Sequence, residues 1–269
     1  MAAACISMGM GKASMGSVHN VIYTILQTPL QKVGISFPGF LLIQVLATLF
    51  FFVGVHANTI IGMEAVAKAK SDGHTLLLGT TTLATNAALG LKQPFDPLKD
   101  FQFISTVVDI PDFIALNKDH PAKDYKAFAE WVNKQPQKVR FATSGLGNQP
   151  HLWMELFKSR NKLNMEVVGY KGSADAIRDV LAGHVPMICD VVLPTGNHVK
   201  AGRMKGLVVA SAERSPMCPD VPTVIEIGMP DMVGAVYYGL VAPAGTPRPV
   251  IDRLNALCLE VIKDPEVKK

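Results

Sequence analysis

The stretch Val139–Phe157, with the sequence VRFATSGLGNQPHLWMELF, constrains the fold of this chain most. Its first residues, Val139–Ala142, predict a short buried strand, and a helix is predicted from Pro150 onward. The loop Thr143–Gln149 between them contains two glycines, a serine and a threonine. A buried strand, a glycine loop and a helix in this order are typical of α/β proteins.

The two glycines of this loop favour an anion-binding interpretation. Gly145 and Gly147 allow the backbone to approach a ligand and to adopt positive φ, and the following helix leaves several N–H groups unpaired beside the loop. Such a loop suits a carboxylate or a phosphate. The spacing matches neither the GxGxxG of dinucleotide sites nor the phosphate loop, which needs a lysine after its second glycine. A purely structural turn is an equally good interpretation.

Strands and helices continue to alternate over Asn58–Lys269. Strands are predicted at Thr75–Leu78, Phe101–Val108, Phe113–Asn117, Met165–Val168, Pro186–Cys189, Gly206–Ala210 and Tyr237–Ala242. Helices are predicted at Ile61–Lys70, Asp124–Lys134, Ala174–Ala182, Thr195–Lys200 and Pro247–Ile262. The alternation implies a parallel sheet, and two lobes follow if Phe113–Asn117 and Tyr237–Ala242 are the crossings between them.

A second loop, rich in hydroxyl groups, follows the predicted strand Thr75–Leu78. It consists of Gly79, Thr80, Thr81 and Thr82, and a helix is predicted to begin within it. Ligands of open parallel sheets bind where strands end in this way. The alternative, in which the three threonines cap the helix, stays open.

Residues 1–57 differ in composition from the rest of the chain. They contain two lysines and no Arg, Asp or Glu, so all 22 acids follow them. Phe40–Val55 is a nearly unbroken apolar run of about 16 residues, shorter than the roughly 20 that a spanning helix needs. The run predicts the core of an export signal that ends near Ala57, and a membrane anchor through residues 40–55 is the alternative.

Composition also excludes several classes of function. The net charge is +4, but basic residues are dispersed and often neighbour acids, so no nucleic-acid partner is expected. The four cysteines lie far apart without a CxxC motif, which predicts buried thiols rather than a disulfide framework or a metal site. His184 and His198 lack carboxylate or thiol partners at ligand spacing, so no metal is expected.

Individual polar residues leave two interpretations each. Ser144 and His151 are better explained as a ligand donor and a capping or packing residue than as part of a hydrolase triad, because no GxSxG motif surrounds the serine. Lys171 suits either a counter-charge for a ligand or a solvated loop position. Asp190 ends the apolar run PMIC, so it either contacts a ligand or ties loops together.

Five segments of the chain occur in an order that is specific to one family. They are NTIIGMEAVAKAKSDGHTLLLGTTTLATN, FATSGLGNQPHLWMELFK, VVGYKGSADAIRDVLAGHVPMICD, GRMKGLVVASAERSPMCPDVPTVIEIGMP and YYGLVAPAGTPRPVIDRLNA. Over Asn58–Lys269 the chain therefore resembles the Bug/TctC family, the extracytoplasmic solute receptors of tripartite tricarboxylate transporters. The resemblance implies a two-lobed α/β fold of the periplasmic-binding-protein type (type II, Venus flytrap), incomplete in its first lobe, with no catalysis and no cofactor.

The resemblance also implies domain bounds and a ligand. Residues 58–117 would form the first part of lobe 1, residues 118–236 lobe 2, and residues 237–269 the return to lobe 1, after the hydrophobic segment 1–57. The ligand would be a small carboxylate: a di- or tricarboxylate, an amino acid or an aromatic acid. A monomeric periplasmic receptor would present it to a membrane permease.

A set of ligand-binding positions is implied by the same resemblance. They are Thr80, Thr81, Thr82, Ser144, Gly145, Gly147, Asn148, His151, Tyr170, Lys171, Gly172, Asp190 and Tyr238. Backbone N–H groups and hydroxyls would hold one carboxylate group, and water would bridge the remainder of the ligand. Asp190 would orient loops or accept from a ligand amine or hydroxyl.

The chain departs from the family pattern at both ends. Family members begin with a strand and a loop resembling PFxxGG, which residues 1–57 do not show, and they continue beyond Asp264–Val267 through a closing helix. A reading-frame change or a wrongly chosen start would explain the first departure. Two other functions stay open: a remnant that binds nothing, and an α/β enzyme acting on a phosphate or nucleotide.

Overall fold

A computed structural model describes residues 60–263 of the chain. These residues divide into two compact units. We call residues 110–236 the continuous unit, and residues 60–109 together with 237–263 the discontinuous unit. The predicted signal or anchor at residues 40–55 lies outside the described residues.

Helices and strands alternate along most of the described chain. In chain order they are α1 (Ile60–Ala67), β1 (Leu77–Thr80), α2 (Thr82–Ala88), β2 (Phe101–Asn117), α3 (Tyr125–Asn133), β3 (Val139–Thr143), α4 (Gln149–Arg160), β4 (Met165–Gly169), α5 (Ser173–Leu181), β5 (Met187–Val191), α6 (Val192–Lys200), β6 (Met204–Val209), a 3₁₀ turn (Pro230–Met232), β7 (Ala235–Pro243) and α7 (Arg248–Lys263). The predicted α/β class is confirmed, and most predicted elements are present with ends shifted by a few residues.

The continuous unit is built on a mixed sheet in the order β6-β2-β5-β3-β4. β3 pairs in parallel with β4 and β5, whereas β2 pairs antiparallel with both β5 and β6. The prediction of a parallel sheet is therefore confirmed for β3, β4 and β5 and wrong for β2. The strands β3, β4 and β5 are connected by helices and lie parallel, as such connections require, whereas β2 runs antiparallel to β5 and β6.

β2 is also longer than predicted. The two predicted strands, Phe101–Val108 and Phe113–Asn117, form one strand of 17 residues. Pro111 interrupts the apolar pattern without ending the strand, and the pairing with β5 begins only at Asp112. A proline is tolerated at such a position because its missing N–H is not needed by a neighbouring strand.

Helices α3 and α4 pack against the sheet of the continuous unit around one apolar core. Phe128, Phe141, Met154 and Phe157 are fully buried in it. Trp153 stacks on Phe157 with ring centroids 5.0 Å apart, and its indole N–H donates to the carbonyl of Met232 at 2.8 Å. This packing fixes α4 against the sheet and therefore fixes the position of its first turn.

The discontinuous unit has two smaller apolar clusters. β1 pairs antiparallel with β7, and β7 is the neighbour of β2. One cluster includes Met63, Leu77 and Leu83, and the other includes Ile104 and Ile251. None of the helices described between residues 60 and 263 combines the length and hydrophobicity that crossing a bilayer requires.

Candidate ligand-binding site

The predicted glycine loop of the continuous unit connects β3 to α4. Asn148 is the N-cap of α4, and its Oδ1 accepts from the backbone N–H of His151 at 3.0 Å. Gly147 adopts a φ of 78°, which confirms the predicted positive φ there, whereas Gly145 is not in that region. The loop is therefore a capped helix entry whose turn depends on Gly147.

A chain of side-chain hydrogen bonds ties this loop to the end of β5. Asn148 Nδ2 donates to Ser144 Oγ at 3.1 Å, and Ser144 Oγ donates to Asp190 Oδ1 at 3.1 Å. Asp190 Oδ1 also accepts from the N–H of Val191 at 2.8 Å. Asp190 thus holds a loop that lies 46 residues earlier in the chain.

Asp190 is 2% exposed, and burial raises the pKa of its carboxyl group above the ordinary value. The hydroxyl of Ser173, the N–H of Val191 and the hydroxyl of Ser144 act in the opposite direction. Of the two roles that the sequence leaves open for Asp190, its hydrogen bond from Ser144, 46 residues earlier, supports the tying of loops.

Several backbone N–H groups that we expected from the sequence to be free for a ligand are hydrogen-bonded within the loop itself. The N–H of Gly147 donates to His151 Nδ1 at 2.9 Å, and Asn148 caps the N–H of His151. Pro150 has no N–H to offer. Burial lowers the pKa of His151, which keeps the imidazole neutral and Nδ1 available as an acceptor. A ligand would therefore meet fewer free donors here than the sequence predicts.

The sequence prediction missed a second buried carboxylate, Asp112 on β2. Gln149 Nε2 donates to Asp112 Oδ2 at 3.0 Å, so the first residue of α4 is held from a strand 37 residues away. Asp112 is fully buried, and burial raises the pKa of its carboxyl group to about 7. The hydrogen bond from Gln149 lowers that pKa, and the nearby Asp190 raises it. An acid beside the apolar run FIALN is the sequence signal that could have found it.

The predicted loop Tyr170–Gly172 follows β4, the parallel neighbour of β3. The N–H of Tyr170 donates to the carbonyl of Thr143 at 2.9 Å, so the two loops begin side by side. Tyr170 Oη donates to Asp179 Oδ2 at 2.8 Å, and Lys171 is exposed. Gly172 precedes the first turn of α5 with open space where a side chain would lie.

The predicted threonine loop belongs to the discontinuous unit. Thr80 Oγ1 donates to Thr82 Oγ1 at 2.9 Å and accepts from the N–H of Thr82 at 3.3 Å. Thr81 is the N-cap of α2, but its side chain makes no capping hydrogen bond. Tyr238 on β7 is the register partner of Thr80 on β1. Three of these four residues thus interact directly or as strand partners.

The structure assembles the predicted site residues into separate groups. Ser144, Asn148 and Asp190 form one hydrogen-bonded network, joined by the pair Gly147 and His151. Tyr170 joins this group through the backbone, but its hydroxyl is bound to Asp179 instead. The threonine loop and Tyr238 form a separate group in the discontinuous unit.

Comparison with known proteins places this chain among transport receptors. The family model described as "Tripartite tricarboxylate transporter family receptor" matches residues 54–269. A protein in the tcbD-tcbE intergenic region of Pseudomonas sp. strain P51 is 35% identical over 209 residues, which are 77% of this chain and 62% of that protein. The protein BugT of Bordetella pertussis is 32% identical over 78% of this chain and 65% of its own length. The chain therefore spans less than two thirds of these relatives.

Solved structures give the same assignment. A periplasmic transporter superimposes with a TM-score of 0.70 at 34% identity, over 78% of this chain and 70% of its own. MatC from Rhodopseudomonas palustris with bound malate gives 0.67 at 30% identity, over 79% and 72%. R. palustris Rpa4515 with adipate gives 0.69 at 28% identity, over 78% and 70%. The resemblance predicted from the sequence is confirmed: the chain belongs to the receptor family of tripartite tricarboxylate transporters.

Proposed function

We propose that this protein is a periplasmic solute-binding receptor that captures a small carboxylate and delivers it to a permease of the tripartite tricarboxylate type, without chemical conversion. The observation that carries the proposal is the anchored helix entry of α4. There a network of Asn148, Ser144 and Asp190 fixes a glycine loop at the N-terminus of a helix, where the positive end of the helix dipole favours a carboxylate.

Three further features support a carboxylate as the ligand. Lys171 supplies an exposed positive charge on the loop that begins beside Thr143. Family members of this fold have been solved with malate and with adipate, both of which are dicarboxylates. The threonine loop of the discontinuous unit offers hydroxyl groups of the kind that bind a carboxylate group.

The proposal is tested by thermal denaturation of the full chain with malate and adipate. Adipamide serves as the control ligand because it has the shape of adipate without its charges. A bound dicarboxylate at a hundredfold excess over its Kd adds about 2.7 kcal/mol to the free energy of unfolding, which raises the Tm in a dose-dependent way. A folded protein with no shift from a panel of carboxylates and amino acids would contradict the proposal.

A matched pair of lysine variants locates the binding charge. Lys171→Met removes the charge from the proposed site, and Lys138→Met removes the same charge from another exposed position. We expect weaker binding of the dicarboxylate probe in the first variant and unchanged binding in the second. Equal effects in both would assign the difference to net charge rather than to a site.

A further inference from the structure

Asp112 is a buried acid that the proposed site does not use directly. Its side chain is fully buried, and its Oδ1 has no hydrogen-bond partner within residues 60–263. Its Oδ2 accepts from Gln149, and its backbone is fixed by bonds from its N–H to Gly234 and from the N–H of Ala210 to its carbonyl. The carboxyl group is therefore held in place in both its protonated and its ionised form.

The surroundings of Asp112 contain no compensating positive charge. The titratable groups that act on it come from β5: Asp190, which is also an acid, and Cys189, whose thiol is kept neutral because burial raises its pKa. From α4 it meets the uncharged amide of Gln149, and from the segment before β7 it meets Gly234, where an added Cβ would lie 3.2 Å from Asp112 Oδ2. No ion pair to Asp112 occurs in the described part of the chain. An ionised Asp112 would thus add an unpaired negative charge beside Asp190.

That charge would act on the same helix entry that we propose as the carboxylate site. Gln149 is the first residue of α4, and Asp190 holds the loop before it through Ser144. A buried charge is weakly screened, and a negative one opposes the binding of an anion. We propose that Asp112 is a positioning residue whose protonation strengthens carboxylate binding at the loop 144–148. This inference rests on the proposed function.

Protonation of Asp112 changes the charge beside Asp190 but keeps the hydrogen bond from Gln149. With Asp112 neutral, the pair Asp112 and Asp190 carries at most one negative charge, and Gln149 still donates to the carbonyl oxygen of Asp112. With Asp112 ionised, the second charge lowers the affinity for an anion. A unit charge about 10 Å away at an effective dielectric of about 20 changes that affinity by roughly fifteenfold.

The test is the pH profile of binding, measured by calorimetry with malate and adipate between pH values of about 6.5 and 8.5, where both probes are almost fully ionised. For the native chain we expect the Kd to rise about eightfold across this range, because about a quarter of Asp112 is already ionised at its acidic end. Asp112→Asn keeps an acceptor for Gln149 but cannot ionise, so its Kd should stay constant and low. Asp109→Asn removes an exposed acid from the same strand and should keep the native profile.

A second variant tests the proposal even if Asp112→Asn does not fold. Gln149→Met removes the hydrogen bond that lowers the pKa of Asp112, so the midpoint of the binding profile should move to higher pH. A purely structural role for Gln149 would weaken binding equally at all pH values. A native profile that is flat, or one that Asp112→Asn leaves unchanged, would overturn the inference. Failure of the proposed function looks different: neither probe then binds any variant at any pH, and the inference falls with it.

Discussion

The two predicted ligand loops of this molecule follow the same plan but are held in opposite ways. Each follows a short strand and leads into a helix. The threonine loop is held by hydrogen bonds between residues two positions apart, whereas the loop before α4 is held by acids 37 and 46 residues away. A locally held loop can change shape without disturbing the rest of its unit, whereas a loop tied to buried acids cannot.

The two loops should also differ in how much stability is lost when their hydrogen bonds are broken. Asp112 and Asp190 are both at most 2% exposed, so breaking their hydrogen bonds leaves buried polar groups without water. The threonine hydroxyls of Thr80 and Thr82 are half-buried and can be rehydrated. Substitutions that remove the hydrogen bonds of the two loops should therefore lower the free energy of unfolding by amounts that differ several-fold. The following variants measure that difference.

Asp190→Ala should have the largest effect, a loss of about 3 kcal/mol in the free energy of unfolding. The substitution removes the buried acceptor of the Ser144 hydroxyl and the Val191 N–H, and both donors are half-buried. Urea denaturation measures the loss. Asp190→Asn is the matched control, because its amide oxygen can still accept both bonds and should retain most of the stability. A loss below about 1 kcal/mol for the alanine variant would show that Asp190 is not the anchor of the loop.

Asp112→Asn should stabilise the protein at alkaline pH by about 2 kcal/mol. The folded protein holds the Asp112 proton up to a pH of about 7, whereas the ordinary pKa of an aspartate is 3.8. The free energy of unfolding contributed by this group is therefore full below the ordinary value, falls as the pH rises to about 7, and is flat above it. We expect half of the linkage limit, because relaxation around a buried charge lowers its cost.

Denaturation at pH values of about 5 and 8 measures this effect. The variant and the native chain should converge toward the acidic end and separate toward the alkaline end. Equal stabilities at about pH 8 would show that Asp112 ionises at its ordinary pKa and that its burial is offset by a partner. This stability profile is independent of any ligand.

Asn148→Ala should cost about 1.5 kcal/mol, slightly more than an ordinary helix cap. The variant loses the cap on the N–H of His151 and the donor to Ser144. Asp124→Ala is the matched control: Asp124 caps α3 by accepting from Ala127 at 2.8 Å and has no link to a buried acid. The difference between the two losses, measured by urea denaturation, reports the value of the tie to Ser144. Equal losses would contradict that tie.

The sequence predicts the strands and helices that flank both loops well, but it does not predict the hydrogen bonds that hold the two loops differently. The small residues from Ser144 to Asn148 indicate a helix entry, and periodicity places the strand before it. The acceptor for Gln149 lies on β2, and no periodicity within α4 identifies a partner 37 residues earlier. Pro111 divides β2 in the sequence pattern, because a proline usually ends a strand unless the neighbouring ladder does not need its N–H. The acceptor of Gln149 and the continuation of β2 through Pro111 both depend on pairing between segments that are distant in the sequence, which local patterns do not reveal.

Thr80→Val should have the smallest effect, a loss of about 0.5 kcal/mol. The variant removes the donor to Thr82 Oγ1 and the acceptor of the Thr82 N–H, but both partners lie where water can replace them. Thr106→Val, at an exposed position on β2, gives the baseline for the same exchange in a strand. A loss near 2 kcal/mol relative to that baseline would show that the threonine loop is as firmly anchored as the loop before α4. A loss within a few tenths of it would show that these hydroxyls contribute little to stability.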